Sequence, residues 1–119
     1  MKKILTLTLC VLFLSGCVAP AKYKWGSYEQ DLYNHFKNTE NNETLLLSIE
    51  THITKLDGKD IITPPGLYAE VGTLYLQKND NRKAILYYTK ERDLWPESKS
   101  LMDTLINTLT ERSSGEITE

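Results

Sequence analysis

The sequence predicts an all-α chain of about five helices. Apolar residues recur at three- and four-residue spacing in each long segment, and Pro, Gly and Asn clusters punctuate the chain between them. No stretch keeps the alternation of apolar and polar residues that a half-buried strand requires.

The first helix starts at Ser27, where Ser27-Tyr28-Glu29-Gln30 has capping-box spacing, a hydroxyl followed three residues later by Gln. Tyr28, Leu32, Tyr33 and Phe36 fall on one side of it. The polar cluster 38–42 stops this helix and offers Asn42 as the cap of the next. Leu45, Leu46, Ile49, Ile53 and Leu56 form the stripe of a second helix, with Gly58 past its end and Lys55 and Lys59 suited to the negative end of its dipole. Ile61-Ile62 can pack as a short extended piece. Pro64-Pro65-Gly66 forbids continuation and sets up a new start. A third helix is predicted over 67–77, a turn at Asn79-Asp80-Asn81, and a fourth helix over 82–94 that ends at Trp95-Pro96. A fifth follows Ser98, with Leu101, Leu105 and Leu109 on one face and Met102 and Ile106 beside them.

Ahead of these helices, Met1-Lys2-Lys3 precedes an apolar run from Ile4 to Leu14, the layout of a secretory signal peptide. Leu14-Ser15-Gly16-Cys17 resembles the lipobox of bacterial lipoproteins. That resemblance implies cleavage after Gly16, a diacylglycerol on the Cys17 sulfur and acylation of the new amine. Val18, where a retention rule of enteric bacteria would have Asp, favours the outer membrane by the same resemblance. The expected organisation is therefore a signal at 1–16, a lipidated tether at 17–24, a helical domain at 25–110 and a polar tail at 111–119.

Removal of residues 1–16 leaves 103 of 119 residues, one small domain. Lys2 and Lys3 leave with the signal, so twelve basic residues face sixteen acidic ones. This balance disfavours nucleic acid as a partner, which would need a basic stripe, and leaves membrane attachment to the acyl chains. Cys10 departs and Cys17 takes lipid, so the mature domain is held by packing without a disulfide. No second apolar stretch approaches the roughly 18 residues of a membrane span.

Between Tyr68 and Pro96 the chain resembles a tetratricopeptide repeat. Tyr68, Val71, Gly72 and Tyr75 meet the pattern of its first helix, Ala84 and Tyr88 that of its second, and Pro96 closes the unit. Gly72 and Ala84 are small where two helices would cross. Glu91 departs from the pattern, standing where the repeat has a small residue, and predicts looser packing there or contact with something other than another repeat. One such unit cannot bury both its faces, so the first two helices are expected to act as a preceding hairpin and the fifth as a cap.

Three blocks carry a wider resemblance. The runs from Tyr23 to Glu29 with Leu32-Tyr33, from Pro64 to Glu70, and from Glu91 to Leu105 with Leu94-Trp95-Pro96-Glu97-Ser98, together resemble the DUF4810 family of small bacterial lipoproteins. Glu91 fits the charged stretch of that family. The resemblance implies a neighbour similar to the curli secretion-pore lipoprotein, and hence a cell-envelope assembly complex, without implying any activity.

Catalytic chemistry finds little to use. His35 and His52 lie on separate helices, Glu40 and Glu43 flank a turn as solvated residues, and there is no phosphate loop, nucleophile elbow or zinc spacing. No cofactor, metal or small-molecule substrate is expected. Binding is better provided for. The face expected to line a groove carries Ala69, Thr73, Leu76 and Gln77, without the Lys and Asn set that clamps a C-terminal carboxylate. Trp25 and Tyr28, close to the lipid, are a second candidate, either stapling the first helix to the core or anchoring a partner. The expected role is a non-enzymatic interaction module on the outer membrane, working with other envelope lipoproteins. The alternative is a lipoprotein regulator of a cell-wall synthetic enzyme.

Overall fold

The computed structural model describes residue 1, residues 20–38 and residues 42–115. The signal segment, Cys17, the first part of the tether, Glu40 and the last four residues lie outside the described residues. Among the described residues there are five α-helices and no strand: α1 (Tyr28–Lys37), α2 (Asn42–Asp57), α3 (Leu67–Gln77), α4 (Asn81–Leu94) and α5 (Lys99–Gly115), with a single 3-10 turn, Pro96–Ser98, between the last two. The chain is all-α, as the periodicity predicts.

Each helix packs on its neighbours in sequence, the tightest pairs being α3 with α4 and α4 with α5. This is the contact pattern of a stacked helical array. The core runs through the stack from Leu45, Leu46, Ile49 and Ile53 of α2, through Leu67, Tyr68, Val71, Leu74 and Tyr75 of α3, to Ala84 and Tyr88 of α4 and Met102 and Leu109 of α5. The α2 stripe is buried as predicted, Leu56 included. Gly72 sits against Tyr88, so close that a Cβ there would lie 2.7 Å from the tyrosine ring. Every position that carried the repeat resemblance in α3 and α4 is buried.

Several local expectations change. The capping box at Ser27 does not form: the Ser27 hydroxyl donates to the Asp31 carboxylate at 2.7 Å, and the Gln30 amide donates to Asn34 at 3.2 Å. A carboxylate one turn on is the stronger acceptor, and the Ser27 backbone (φ −89, ψ 7) is not extended as a capping residue's would be. Asn42 is the first residue of α2, not its cap, and its amide donates to Gln77 at 2.9 Å. On α1 only Tyr28 and Leu32 of the four predicted apolar residues pack inward; Tyr33 is 61% exposed and Phe36 72%. Successive residues turn by about 100°, so Tyr33 and Phe36 lie well round the helix from Tyr28, while α1 has one substantial neighbour, α2. On α5 the buried residues are Met102 and Leu109, and Leu101 faces out. That helix also continues to Gly115, five residues into the segment read as a polar tail. Ser113 and Ser114 turn their hydroxyls back onto the carbonyls of Leu109 and Thr110 and compete little with the helix.

Glu91 is the largest departure. It is 0% exposed, so the packing there is not looser; of the two expectations it meets the other, since its partners lie outside the two repeat helices. One oxygen, Oε1, accepts the Gly66 N–H at 2.7 Å and the Ser98 hydroxyl at 3.1 Å, so the carboxylate joins the start of α3 to the 3-10 turn before α5.

Candidate functional site

Two features of the surface are built from several elements at once. The first is an open groove of about 470 Å³, lined by Glu43, Leu46, Leu47 and Glu50 of α2, by Tyr75 of α3 and by Lys83 of α4, among others. The stripe of α2 that buries Leu46 leaves Leu47 on its edge, 65% exposed. At one side of the groove Glu50 Oε1 accepts two hydroxyls, Tyr75 at 2.8 Å and Tyr87 at 2.7 Å. The two rings stack with centroids 5.6 Å apart, and Tyr68 continues the row 6.3 Å from Tyr87. Two ammonium groups cover these rings: Lys83 lies 4.6 Å from the centroid of Tyr75, and Lys90 lies 5.0 Å from that of Tyr87.

Burial first, then the bond to Glu50, pushes the Tyr75 and Tyr87 hydroxyls above the ordinary tyrosine value. The Lys83 ammonium is held charged chiefly by its bond to the Tyr75 hydroxyl. Both hydroxyls act as donors to the Glu50 carboxylate. The arrangement fixes a polar, aromatic wall beside an apolar edge, which suits recognition of another surface.

The second feature is the segment before α1. Tyr23 meets Trp95, at the end of α4, edge to face at 5.5 Å. His52 Nε2 lies 2.7 Å from the Lys24 carbonyl, and Trp25 rests 5.7 Å from the Tyr28 ring. Gly26, at φ +60, passes so close that a Cβ would stand 2.6 Å from the His52 ring. Residues 23–26 thus form a strap across the body. The expected tether at 17–24 loses Tyr23 and Lys24 to the fold.

The residues predicted for binding are dispersed. Trp25 and Tyr28 are half-buried against the core, and burial, then the nearby Glu70 charge, raises the Tyr28 hydroxyl. Ala69 and Leu76 are also half-buried on the core. Thr73 is exposed but turns its hydroxyl to the Ala69 carbonyl and the Tyr88 hydroxyl, and Gln77 accepts from Asn42. None of these four α3 residues lines the open groove. Sequence reading missed Glu50, Tyr87 and Leu47. Tyr68 and Tyr75, two helical turns apart on α3, were absorbed by the repeat pattern, and Tyr87 joins them from α4. His35 and His52 remain apart, and among the described residues no group of three or more His, Cys, Asp or Glu could hold a metal ion. Among the described residues no helix is long and apolar enough to cross a membrane.

Residues 22–105 match the family described as Domain of unknown function (DUF4810). No curated protein and no solved structure matches the chain.

Proposed function

This chain belongs to the DUF4810 family, and from that premise we propose that it is a lipoprotein of the bacterial outer membrane whose helical body is a non-enzymatic protein-interaction module. Cys17 carries the lipid, the body faces the periplasm, and the partner is another envelope lipoprotein of the pore-forming kind implied by the family resemblance. The tetratricopeptide-like character of α3 and α4 belongs to the same reading. Lipid attachment confines the module to the surface that holds its partner and so raises their effective concentration.

The observation that carries this reading is the groove beside Glu50. Its apolar edge at Leu47 is exposed beside tyrosine hydroxyls committed as donors to Glu50, which supports a role in contact. An exposed apolar edge rimmed by charged and aromatic groups is the common composition of a docking surface. The strap also weakens the alternative of a regulator that reaches an inner-membrane synthase. With Tyr23 docked, residues 17–23 span at most about 22 Å.

Crosslinking of the native chain in membranes, followed by purification and identification of its partners, tests the proposal. Recovery of a pore-type lipoprotein, abolished by Leu47→Glu in a chain that keeps its helicity, supports it. Recovery of cell-wall synthases alone overturns it.

A further inference from the structure

The outer face of α1 has no role in the groove. Tyr33 and Phe36 lie three residues apart on it and are the most exposed aromatic side chains among the described residues. Burying nothing fully, α1 has one substantial helical neighbour, α2, and its Tyr28 edge takes that contact.

The strap says what lies opposite that face. On the reading that Cys17 is lipidated, which this inference rests on, the chain leaves the bilayer at Cys17 and is docked again by Tyr23. Its reach between the two is about 22 Å at full extension. Helix α1 starts five residues after Tyr23 and rises about 15 Å along its ten residues. Tyr23 is thus held within one tether length of the lipid surface, and α1 is the helix that follows it directly.

Charge permits that placement, with one carboxylate, Glu29, on the face. The chain as a whole is acidic, but its lipid-proximal end is not. Lys22 and Lys24 flank Tyr23, and Lys37 ends α1. Glu29 lies between Tyr33 and Phe36 on the helix surface, whereas the other carboxylate of α1, Asp31, is turned inward to the Ser27 and Ser48 hydroxyls. Tyr at the level of head groups and Lys reaching for phosphates are the usual components of an interfacial contact.

We propose that the outer face of α1, carrying Tyr33 and Phe36, rests in the head-group zone of the bilayer that holds the Cys17 lipid. The lipid and this face together then give the body a fixed orientation, with strap and α1 toward the membrane.

The test uses the lipidated full-length chain in vesicles of phosphatidylethanolamine and phosphatidylglycerol, with a nitroxide at Glu29→Cys or, for comparison, at Asn107→Cys, exposed on α5 away from the strap. Once the signal is removed and Cys17 acylated, the introduced thiol is unique. The label at 29 is expected to be relaxed by dissolved oxygen in preference to a water-soluble nickel chelate, and the label at 107 by the chelate. Adding Tyr33→Ser and Phe36→Ser should abolish the oxygen preference at 29 while the protein still sediments with the vesicles. A water-facing label at 29 in a lipidated chain overturns the proposal alone. Shielding at 29 that grows with protein density in the vesicle marks a second copy as the occupant and also overturns it. Mass spectrometry of the chain taken from membranes distinguishes the remaining case: a Cys17 without lipid removes the anchoring reading and this proposal with it.

Discussion

The backbone N–H of Gly66 donates to Glu91 Oε1 at 2.7 Å, across 25 residues of chain. Gly66 is the residue before α3, at φ +88, and its N–H lies at the positive end of that helix's dipole. A carboxylate there both caps α3 and ties it to the last turn of α4. Ser98 adds a second donor to the same oxygen, so one side chain sets the start of α3, the end of α4 and the entry to α5.

That geometry reverses the expectation for Glu91→Ala. A small residue is what the repeat pattern would place at this position, and by that logic alanine would be neutral. Removing the carboxylate instead leaves the Gly66 N–H and the Ser98 hydroxyl unpaired around a new cavity. The expected loss is about 3 kcal/mol in urea unfolding. Glu91→Gln keeps an accepting oxygen and should lose less than half as much. Equal stability of wild type and Glu91→Ala would show that the cap carries no weight.

Gly72→Ala probes the crossing of α3 and α4. An added Cβ would meet two carbons of the Tyr88 ring at 2.7 Å and the Ala84 carbonyl at 3.2 Å. Tyr88 is 1% exposed and its hydroxyl is bonded to Thr73, so the ring has nowhere to swing. Alanine favours helix by roughly 1 kcal/mol over glycine, yet the crowding should outweigh it and give a net loss of about 2 kcal/mol. Thermal unfolding followed by circular dichroism reads the difference.

How far such features were legible depended on the range of the interaction. The α2 stripe from Leu45 to Leu56 could be read directly, because a buried face at helical period needs no knowledge of what covers it. On α1 the same period marked Tyr33 and Phe36 as inward, and they face out, because which arc of a helix is covered depends on how many neighbours it has. Glu91 could be seen as unusual but not explained, since its partner lies 25 residues away. The Glu50 site was invisible for the same reason: Tyr87 reaches it from 37 residues down the chain. Trp25 was open between staple and anchor, and its place on the core with Tyr28 fits a staple.

Burial raises the hydroxyls of Tyr28, Tyr68, Tyr75 and Tyr87 above the ordinary tyrosine value, with Glu50 adding to the effect at Tyr75 and Tyr87. A folded value raised above the unfolded one contributes stability that is fully present below the unfolded value of about 10. It is lost as pH rises through the folded values. The urea midpoint should therefore fall above about pH 10, and phenolate absorbance should show these four tyrosines titrating late, together with unfolding. Tyr87→Phe should cost on the order of 1 kcal/mol at neutral pH and remove one late-titrating group. Seven tyrosines titrating together near the free value would contradict this account of the cluster.

Gly26→Ala should release the strap while leaving the helical stack in place. The residue sits at φ +60, where a side chain is disfavoured by roughly 1 kcal/mol, and its Cβ would strike the His52 ring at 2.6 Å. That ring also holds the Lys24 carbonyl, so moving it aside breaks the contact that keeps the strap down. Trypsin should then cut after Lys22 and Lys24 faster than in the wild type, with little change in helicity. His52→Ala loses the carbonyl contact but keeps the Tyr23–Trp95 pair, and should loosen the strap less. The double variant removes the collision but not the backbone strain, so its cleavage rate should fall between that of Gly26→Ala and the wild type. Identical cleavage in Gly26→Ala and wild type would mean that the close passage of Gly26 past His52 does not hold the strap.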